Sequence, residues 1–372
     1  MELKNLPSLS FAERDPATIE TNILTTVEAL LGRTLARADP LRLFLMGVEA
    51  IIVQQRELID QAAKMNLLAY ATGAYLDNIG VLVGTDRLLA SAATTTLKFT
   101  LSTARTAATT IPEGTRATAG DGILFALNEN TIIPAGETTI TARATCTTTG
   151  AAGNGYAQGE IKTIVDPVPF VAAVVNTTTT EGGADTESDD DYRERIHEAP
   201  EKLSTAGPAA AYEYYAKTAS ALIIAAPAFR ASPGVVRVRP LLKGGELPGT
   251  EILDAVSAVL NDKTIRPLTD KVLVEAPEKV SYNVNLKYWI DRDDSTGAVA
   301  IEKAVTNAVN EFVTWEKSKL GRDINQTELY YRIRAAGAKR AVITEPVDTV
   351  VGEEQVAIAD SITVTLGGLE DD

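Results

Sequence analysis

One cysteine, one histidine and an aromatic content of only 5% in 372 residues close off much of the chemistry this chain could carry. Cys146 stands alone, so no intrachain disulfide can form, and the composition suits synthesis and assembly in a reducing cytoplasm. It lies in a Thr-rich strand pattern, which marks a small half-buried hydrophobe rather than a nucleophile. His197 as the only histidine removes His-pair zinc sites and makes any Ser-His-Asp triad depend on it. Glu194 and Glu198 flank it, but no G-x-S-x-G motif accompanies it, and a surface histidine is the expectation. Basic charge is scarce as well: 35 Lys and Arg against 50 Asp and Glu leave a net charge of −15. Such a surface repels phosphate backbones, so no nucleic-acid partner is expected. Lys202, Lys217, Arg230, Arg237, Arg239 and Lys243 fall close together, but acids and apolar residues interleave them as on an ordinary solvated face.

Long hydrophobic runs are missing too. The most apolar window, Leu43 to Val53, is far shorter than a bilayer span and is interrupted by Glu49, so no membrane insertion is expected. The first residues lack the basic start and apolar core of a secretory signal. What is present is ordinary for a globular chain: 45% hydrophobic and 23% charged residues. The length allows roughly two to four domains. Plentiful Thr and Ala favour small-residue packing over one large aromatic core.

Local signals divide the chain into an α+β multidomain protein. Residues 1–86 read as helical. Asp15-Pro16 and Asp39-Pro40 each place an N-cap before a proline at the first helical position, launching helices to about Leu35 and about Tyr70. Along the second, Leu41, Phe44, Val48, Ile51, Gln55, Leu58, Ala62 and Met65 keep the three-and-four spacing of a heptad seam. Leu45, Ile52 and Ile59 form a second apolar row beside it. A stripe this broad needs more cover than one short helix supplies. Either a local bundle or one shared with another subunit would provide it, and in the second case Gln55 would help select register. The candidate subunit-interface residues are therefore Phe44, Leu45, Val48, Ile51, Ile52, Gln55, Leu58 and Ile59. Replacing Ile52 and Ile59 together with Asp is expected to abolish assembly. A third helix spans about Ala74 to Val83.

Residues 87–180 alternate in period two, with glycine or proline turns about every ten residues, and read as a Thr-rich β-sandwich-like or barrel-like domain. Residues 181–277 mix helix and strand as a small α/β domain, and 278–372 form a second. There Val299, Ala300, Val305, Val309 and Phe312 define the buried face expected for a helix from about Ala298 to Lys319. The acidic run Asp185, Glu187, Asp189, Asp190 and Asp191 lacks the order of a calcium loop. Its expected role is to cap a helix beginning near Tyr192, through Asp189 or Asp190, with Arg193 and Arg195 in reach. Ser204 or Thr205 is the expected cap before Pro208. Lys243-Gly244-Gly245 lacks the phosphate-loop order and reads as a hairpin or loop. No catalytic, cofactor-binding or metal residues emerge.

Five segments carry a family resemblance through their order and spacing: IPEGTRATAGDGILF, GAAGNGYAQGEI, GGADTESDDDYRERI, STAGPAAAYEYYA and SPGVVRVRPLL. From about residue 15 to 368 the chain resembles the baseplate J family of contractile phage tails and related injection machines. The resemblance implies a structural baseplate wedge component, arranged in a sixfold ring around the tail tube. Its implied partners are a smaller wedge protein and the sheath- or tube-initiating proteins, and its implied place is the baseplate of a virion or similar particle. It also implies no enzyme activity and no cofactor, with the N-terminal helices bundled into the wedge core. A shape change on sheath contraction would then swing the domains on linkers near Arg87, Thr180 and Pro277. An alternative is a tail-tip adhesin whose Thr-rich β domain binds a host receptor or glycan. An adhesin needs exposed rings, and the β domain offers only Phe99, Phe125, Tyr156 and Phe170.

Overall fold

The computed structural model describes residue 3 and residues 6–203 and 208–371. The chain divides into two compact units, Met1–Arg87 with Ser188–Pro200, and Leu88–Glu187 with Glu201–Asp372.

The first unit is helical. Helices α1 (Pro16–Leu31) and α2 (Pro40–Lys64) are packed against each other. Both expected starts are present: the Asp15 carboxylate accepts from Thr18 N at 2.9 Å, and Asp39 accepts from Leu41 N at 2.9 Å. Helix α1 stops at Gly32, whose φ of 65° is the left-handed cap that spares a side chain's steric penalty. Helix α3 (Gly73–Leu82) packs with α4 (Asp189–Glu198) through Leu76, Ala71, Tyr192 and Ile196. The fully buried Tyr192 donates to Thr85 O at 2.7 Å, while Arg87 stacks on its ring at 4.6 Å. Thus α4, far along the sequence, shares its core with the N-terminal helices.

In the second unit a six-stranded antiparallel sheet curls into a nearly closed barrel. Its strands are β1 (Ala92–Leu101), β3 (Arg116–Thr118), β4 (Leu124–Leu127), β6 (Thr139–Thr149), β7 (Thr163–Ile164) and β8 (Val171–Asn176), in the order β7-β3-β4-β6-β1-β8. A two-stranded ribbon of β2 (Thr109–Ile111) and β5 (Thr131–Ile133) completes the domain. Alternate β1 residues Ala93, Leu97, Phe99 and Leu101 enter the core with Phe125, Ile161 and Cys146. Of the sandwich-like and barrel-like readings of the Thr-rich region, the barrel is the one found. Its open seam is tied by the buried Asn176. That side chain accepts from Gly159 N and Ile161 N at 3.0 and 2.9 Å and donates to Ala157 O and Thr178 O at 2.9 Å each. One amide so meets both of its donor and both of its acceptor demands.

Two α/β domains follow. The first holds α5 (Ala209–Lys217), β9 (Ile223–Ala225), β10 (Ala228–Ser232), β11 (Val235–Val238), β12 (Leu241–Leu242), α6 (Thr250–Leu260) and β13 (Lys271–Val274). Strand β11 pairs antiparallel with β10 and parallel with β13, and α6 makes the crossover between β11 and β13. The cap expected at Ser204 or Thr205 lies outside the described residues. The second domain is a three-stranded sheet in the order β15-β14-β16, built from β14 (Glu278–Asp291), β15 (Arg340–Glu345) and β16 (Gln355–Glu370). Helices α7 (Ala298–Lys317) and α8 (Gln326–Ala335) cover it. Val305, Val309 and Phe312 are buried as expected, but Val299 and Ala300 are exposed, because the first turn of α7 precedes the stretch seated on the sheet.

The junction at Pro277, expected to be a swinging linker, is bridged instead. Arg239, almost wholly buried, meets Glu354 at 2.6 Å and Ala276 O at 2.5 Å, and Arg237 meets the same Glu354 at 3.0 Å. Leu241, Leu320 and Val356 form an apolar cluster joining the two domains. Two of the six cations read as a solvated face are therefore consumed by this ionic seam.

Candidate subunit interface

Helix α2 has two sides with different fates. Leu45, Val48 and Ile52 are half-buried; Leu45 lies with Arg42 beside Ile23 and Leu24 of α1, and Arg42 pairs with Glu20 at 2.9 Å. The preceding segment lies along α2 as well: Phe11 N donates to Asp60 at 2.7 Å, and Arg14 pairs with Glu57 at 2.9 Å. Asp60 is 1% exposed and also meets Lys64 at 2.7 Å. The Lys64 ammonium, and then the Phe11 amide, hold its carboxyl below the ordinary range.

The other side is uncovered. Phe44, Ile51, Leu58 and Ile59 are each more than half exposed, and Gln55 is exposed between them. Phe44, Ile51 and Leu58 repeat every seven residues, so they share one face for about 21 Å of helix. Leu43, next to Phe44, is exposed as well, as are Leu30, Val81 and Leu82 elsewhere in the unit. Covering a side chain of this kind contributes about 1.5–3 kcal/mol, a contribution these exposed residues do not make within this chain. The eight sequence-read residues therefore split into the half-buried Leu45, Val48 and Ile52, and the exposed Phe44, Ile51, Gln55, Leu58 and Ile59.

The segment following the barrel is a row of carboxylates, each serving a different backbone. Glu181 accepts from Glu251 N at 3.1 Å at the start of α6, and Asp185 accepts from Ala151 N at 3.1 Å. Glu187 accepts from Leu88 N at 3.0 Å. The expected capping of α4 is corrected in detail: Ser188, rather than Asp189 or Asp190, is its N-cap, accepting from Asp191 N at 3.2 Å. Asp189 caps a different helix, taking Gly73 N of α3 at 3.0 Å, and this bond leads in lowering its carboxyl below the usual range. Arg193, half-buried, spans Leu68 O, Ala71 O and Asp190. His197 is exposed at the far end of α4. Gly183 lies where any Cβ would meet Gly150 O and Asn154, so the EGG and TGAAGNG segments are each other's packing partners. Asn154 and Gly183 also exchange bonds of 2.6 and 2.9 Å.

Comparison with known proteins gives this architecture a family. Residues 46–94 match the Baseplate J-like N-terminal domain, and residues 96–183 the Baseplate J-like protein barrel domain. Residues 204–276 match the Baseplate J-like central domain, and residues 282–365 the C-terminal domain. "Baseplate protein J" of Escherichia phage P2 is 28% identical over 190 residues, which is 50% of this chain and 61% of that protein. This chain thus spans less than two thirds of that relative's length. A chain of the anti-feeding prophage (AFP) baseplate, solved by cryo-EM and 6-fold symmetrised, aligns over 92% of this chain and 90% of its own. That alignment has a TM-score of 0.39 and 11% identity. Matched by four successive domains in order along its length, this chain belongs to the baseplate J family.

Proposed function

We propose that this chain is a structural component of the baseplate of a contractile phage tail or related injection particle, with no catalytic role. Within it, the outward face of α2 joins a helical bundle completed by another baseplate chain. The observation that carries this reading is the uncovered apolar repeat Phe44, Ile51 and Leu58 in a chain of the baseplate J family. A polar Gln55 inside that repeat fits a register-selecting position, since a polar group in an apolar seam tolerates few partners. The finer assembly follows: a wedge with a smaller partner, repeated in a sixfold ring beside the sheath- or tube-initiating proteins. The bridged Pro277 junction favours shape change at interfaces between chains over bending at that linker.

The structure selects sharper test positions than the Ile52/Ile59 pair, because Ile52 is half-buried and an Asp there would also disturb packing within the chain. Ile51→Asp with Leu58→Asp should leave the isolated chain folded and remove it from purified particles. Normal incorporation of that double variant, seen by electron microscopy and immunoblotting, would sink the bundle reading. The adhesin alternative has one ring to offer: Phe170 is exposed, but the Arg105 guanidinium already lies over it at 3.3 Å. Phe99 and Phe125 are in the core, and Tyr156 packs edge-on to Phe125.

A further inference from the structure

The sheet of the C-terminal domain has two edges of different character. Strand β15 is short, carries Arg340 and Glu345 at its ends and runs into Pro346, all features that discourage further pairing. Strand β16 has sixteen residues, and among the described residues no strand pairs with its outer side. From Ser361 to Leu366 it stays in unbroken parallel register with Asn283–Tyr288, without a lysine or a proline. Its side chains alternate. Ile362, Val364 and Leu366 stand beside Val284, Leu286 and Tyr288 on the helix-covered side. Ser361, Thr363 and Thr365 stand beside Asn283, Asn285 and Lys287 on the solvent side. The helices bury Val284, Leu286 and Tyr288 but leave Ile362 43% and Leu366 38% exposed.

The stretch SITVTLG reads nearly alike in both directions about Val364. Antiparallel pairing with a second copy, centred on that residue, sets Ile362 against Leu366 and Thr363 against Thr365, with Val364 facing its own equivalent. Every pair then matches apolar with apolar on one side and Thr with Thr on the other, the combinations that stabilise cross-strand neighbours. Asp360 falls opposite Gly368, so no like charges are apposed. A register shifted by one residue would put each apolar side chain on the wrong face. We propose that β16 pairs with β16 of a second copy about a two-fold axis through Val364, making one continuous six-stranded sheet. Such a contact is isologous and distinct from the heterologous contacts that close a ring.

Cysteine cross-linking reads the register directly. In the background of Ile51→Asp with Leu58→Asp, which silences the α2 face, Val364→Cys should form a covalent dimer on mild oxidation. Facing residues in an antiparallel pair have Cα atoms about 4.5–5.5 Å apart, within disulfide reach. Thr365→Cys alone should not cross-link, because its counterpart is Thr363, whereas a mixture of Thr363→Cys and Thr365→Cys chains should give the mixed dimer. Native Cys146 is buried in the barrel core and does not compete. Ile362→Lys with Leu366→Lys should weaken self-association at least about tenfold with unchanged circular dichroism. Added salt should strengthen association of wild-type chains, by screening the −15 charge each carries. Equal cross-linking of Val364→Cys and Thr365→Cys, or none in either, overturns the pairing. So does a wild-type edge protected from hydrogen exchange only when a different protein is added. Normal particle incorporation with the Val364 cross-link intact would count against the α2 reading alone.

Discussion

Helices α2 and α7 look alike in sequence: both are long, both carry a broad apolar stripe, and both bury one acid. Their surroundings differ in every respect. Helix α7 seats Val305, Ala308, Val309 and Phe312 on its sheet, whereas in α2 the one fully buried side chain is Asp60. The acids differ in the same sense. Asp60 is met by Lys64, Arg14 and the Phe11 amide. Glu316 of α7 is 0% exposed, and neither of its oxygens accepts a well-formed hydrogen bond among the described residues. An apolar stripe tells that a helix will be covered, but not by which chain. A buried acid likewise does not tell whether its charge is kept.

The largest effect expected from this contrast is mechanical. Phe312→Ala should cost about 3–5 kcal/mol of unfolding free energy, the loss typical of a deleted core ring. Ile51→Ala or Leu58→Ala should each stay within about 0.5 kcal/mol in the isolated chain, since both side chains are more than half exposed. Denaturant unfolding followed by circular dichroism compares the three. If the α2 variants lose as much as Phe312→Ala, the face is covered within the chain and the contrast fails.

The next effect is smaller and depends on pH. Burial pushes the Glu316 carboxyl up from 4.5 to about 7, with the Asn325 amide and Arg322 pulling partly the other way. The groups around it are the Tyr282 hydroxyl from β14, Arg322 from the loop after α7, and Glu328 and Arg332 from α8. Both guanidinium groups are engaged over Trp315, at 4.0 and 5.2 Å. A carboxyl raised on folding binds its proton more tightly in the native state. Between 4.5 and 7 the native chain therefore holds a proton that the unfolded chain has lost, and stability falls as pH rises. Over that window the change should be about 3 kcal/mol, complete by roughly pH 7 and absent below 4.5. Glu316→Gln should flatten the profile. An unchanged slope in that variant would show that another group carries the proton.

How far the sequence was legible follows the range of the interactions. Asp15-Pro16, Asp39-Pro40, the alternation in β1 and the heptad of α2 are local patterns, and each appears as its pattern demands. The Asp189 carboxylate was legible as a helix cap but not as the cap of α3, because the pairing with Gly73 spans more than a hundred positions. The partnership of α4 with the N-terminal helices, the Arg239–Glu354 seam and the four-bond Asn176 tie are hidden for the same reason. Of the candidate interface, the stripe was visible. The division of the half-buried Leu45, Val48 and Ile52 from the exposed Phe44, Ile51 and Leu58 needed the fold, since neighbouring heptad rows differ by only a small rotation about the helix axis.

The smallest effect sits at a single amide and closes the comparison from the other side. Asp60 has its carboxyl held below 3.8, so its contribution is present above that value and is lost only as pH falls through the lower folded value. Between pH 7 and 4.5, where α7 gains stability through Glu316, the anchoring of residues 11–14 on α2 should stay constant. Asp60→Asn keeps the shape but removes the charge that Lys64 and Arg14 share, so the Phe11 amide should exchange faster while the protection of α7 amides is unaltered. Hydrogen exchange with fragment-level resolution reads both in one experiment. If Phe11 protection instead tracks pH across the same window as α7, the two buried acids do not behave as opposites, and covering a helix and keeping its charge are not separate choices in this chain.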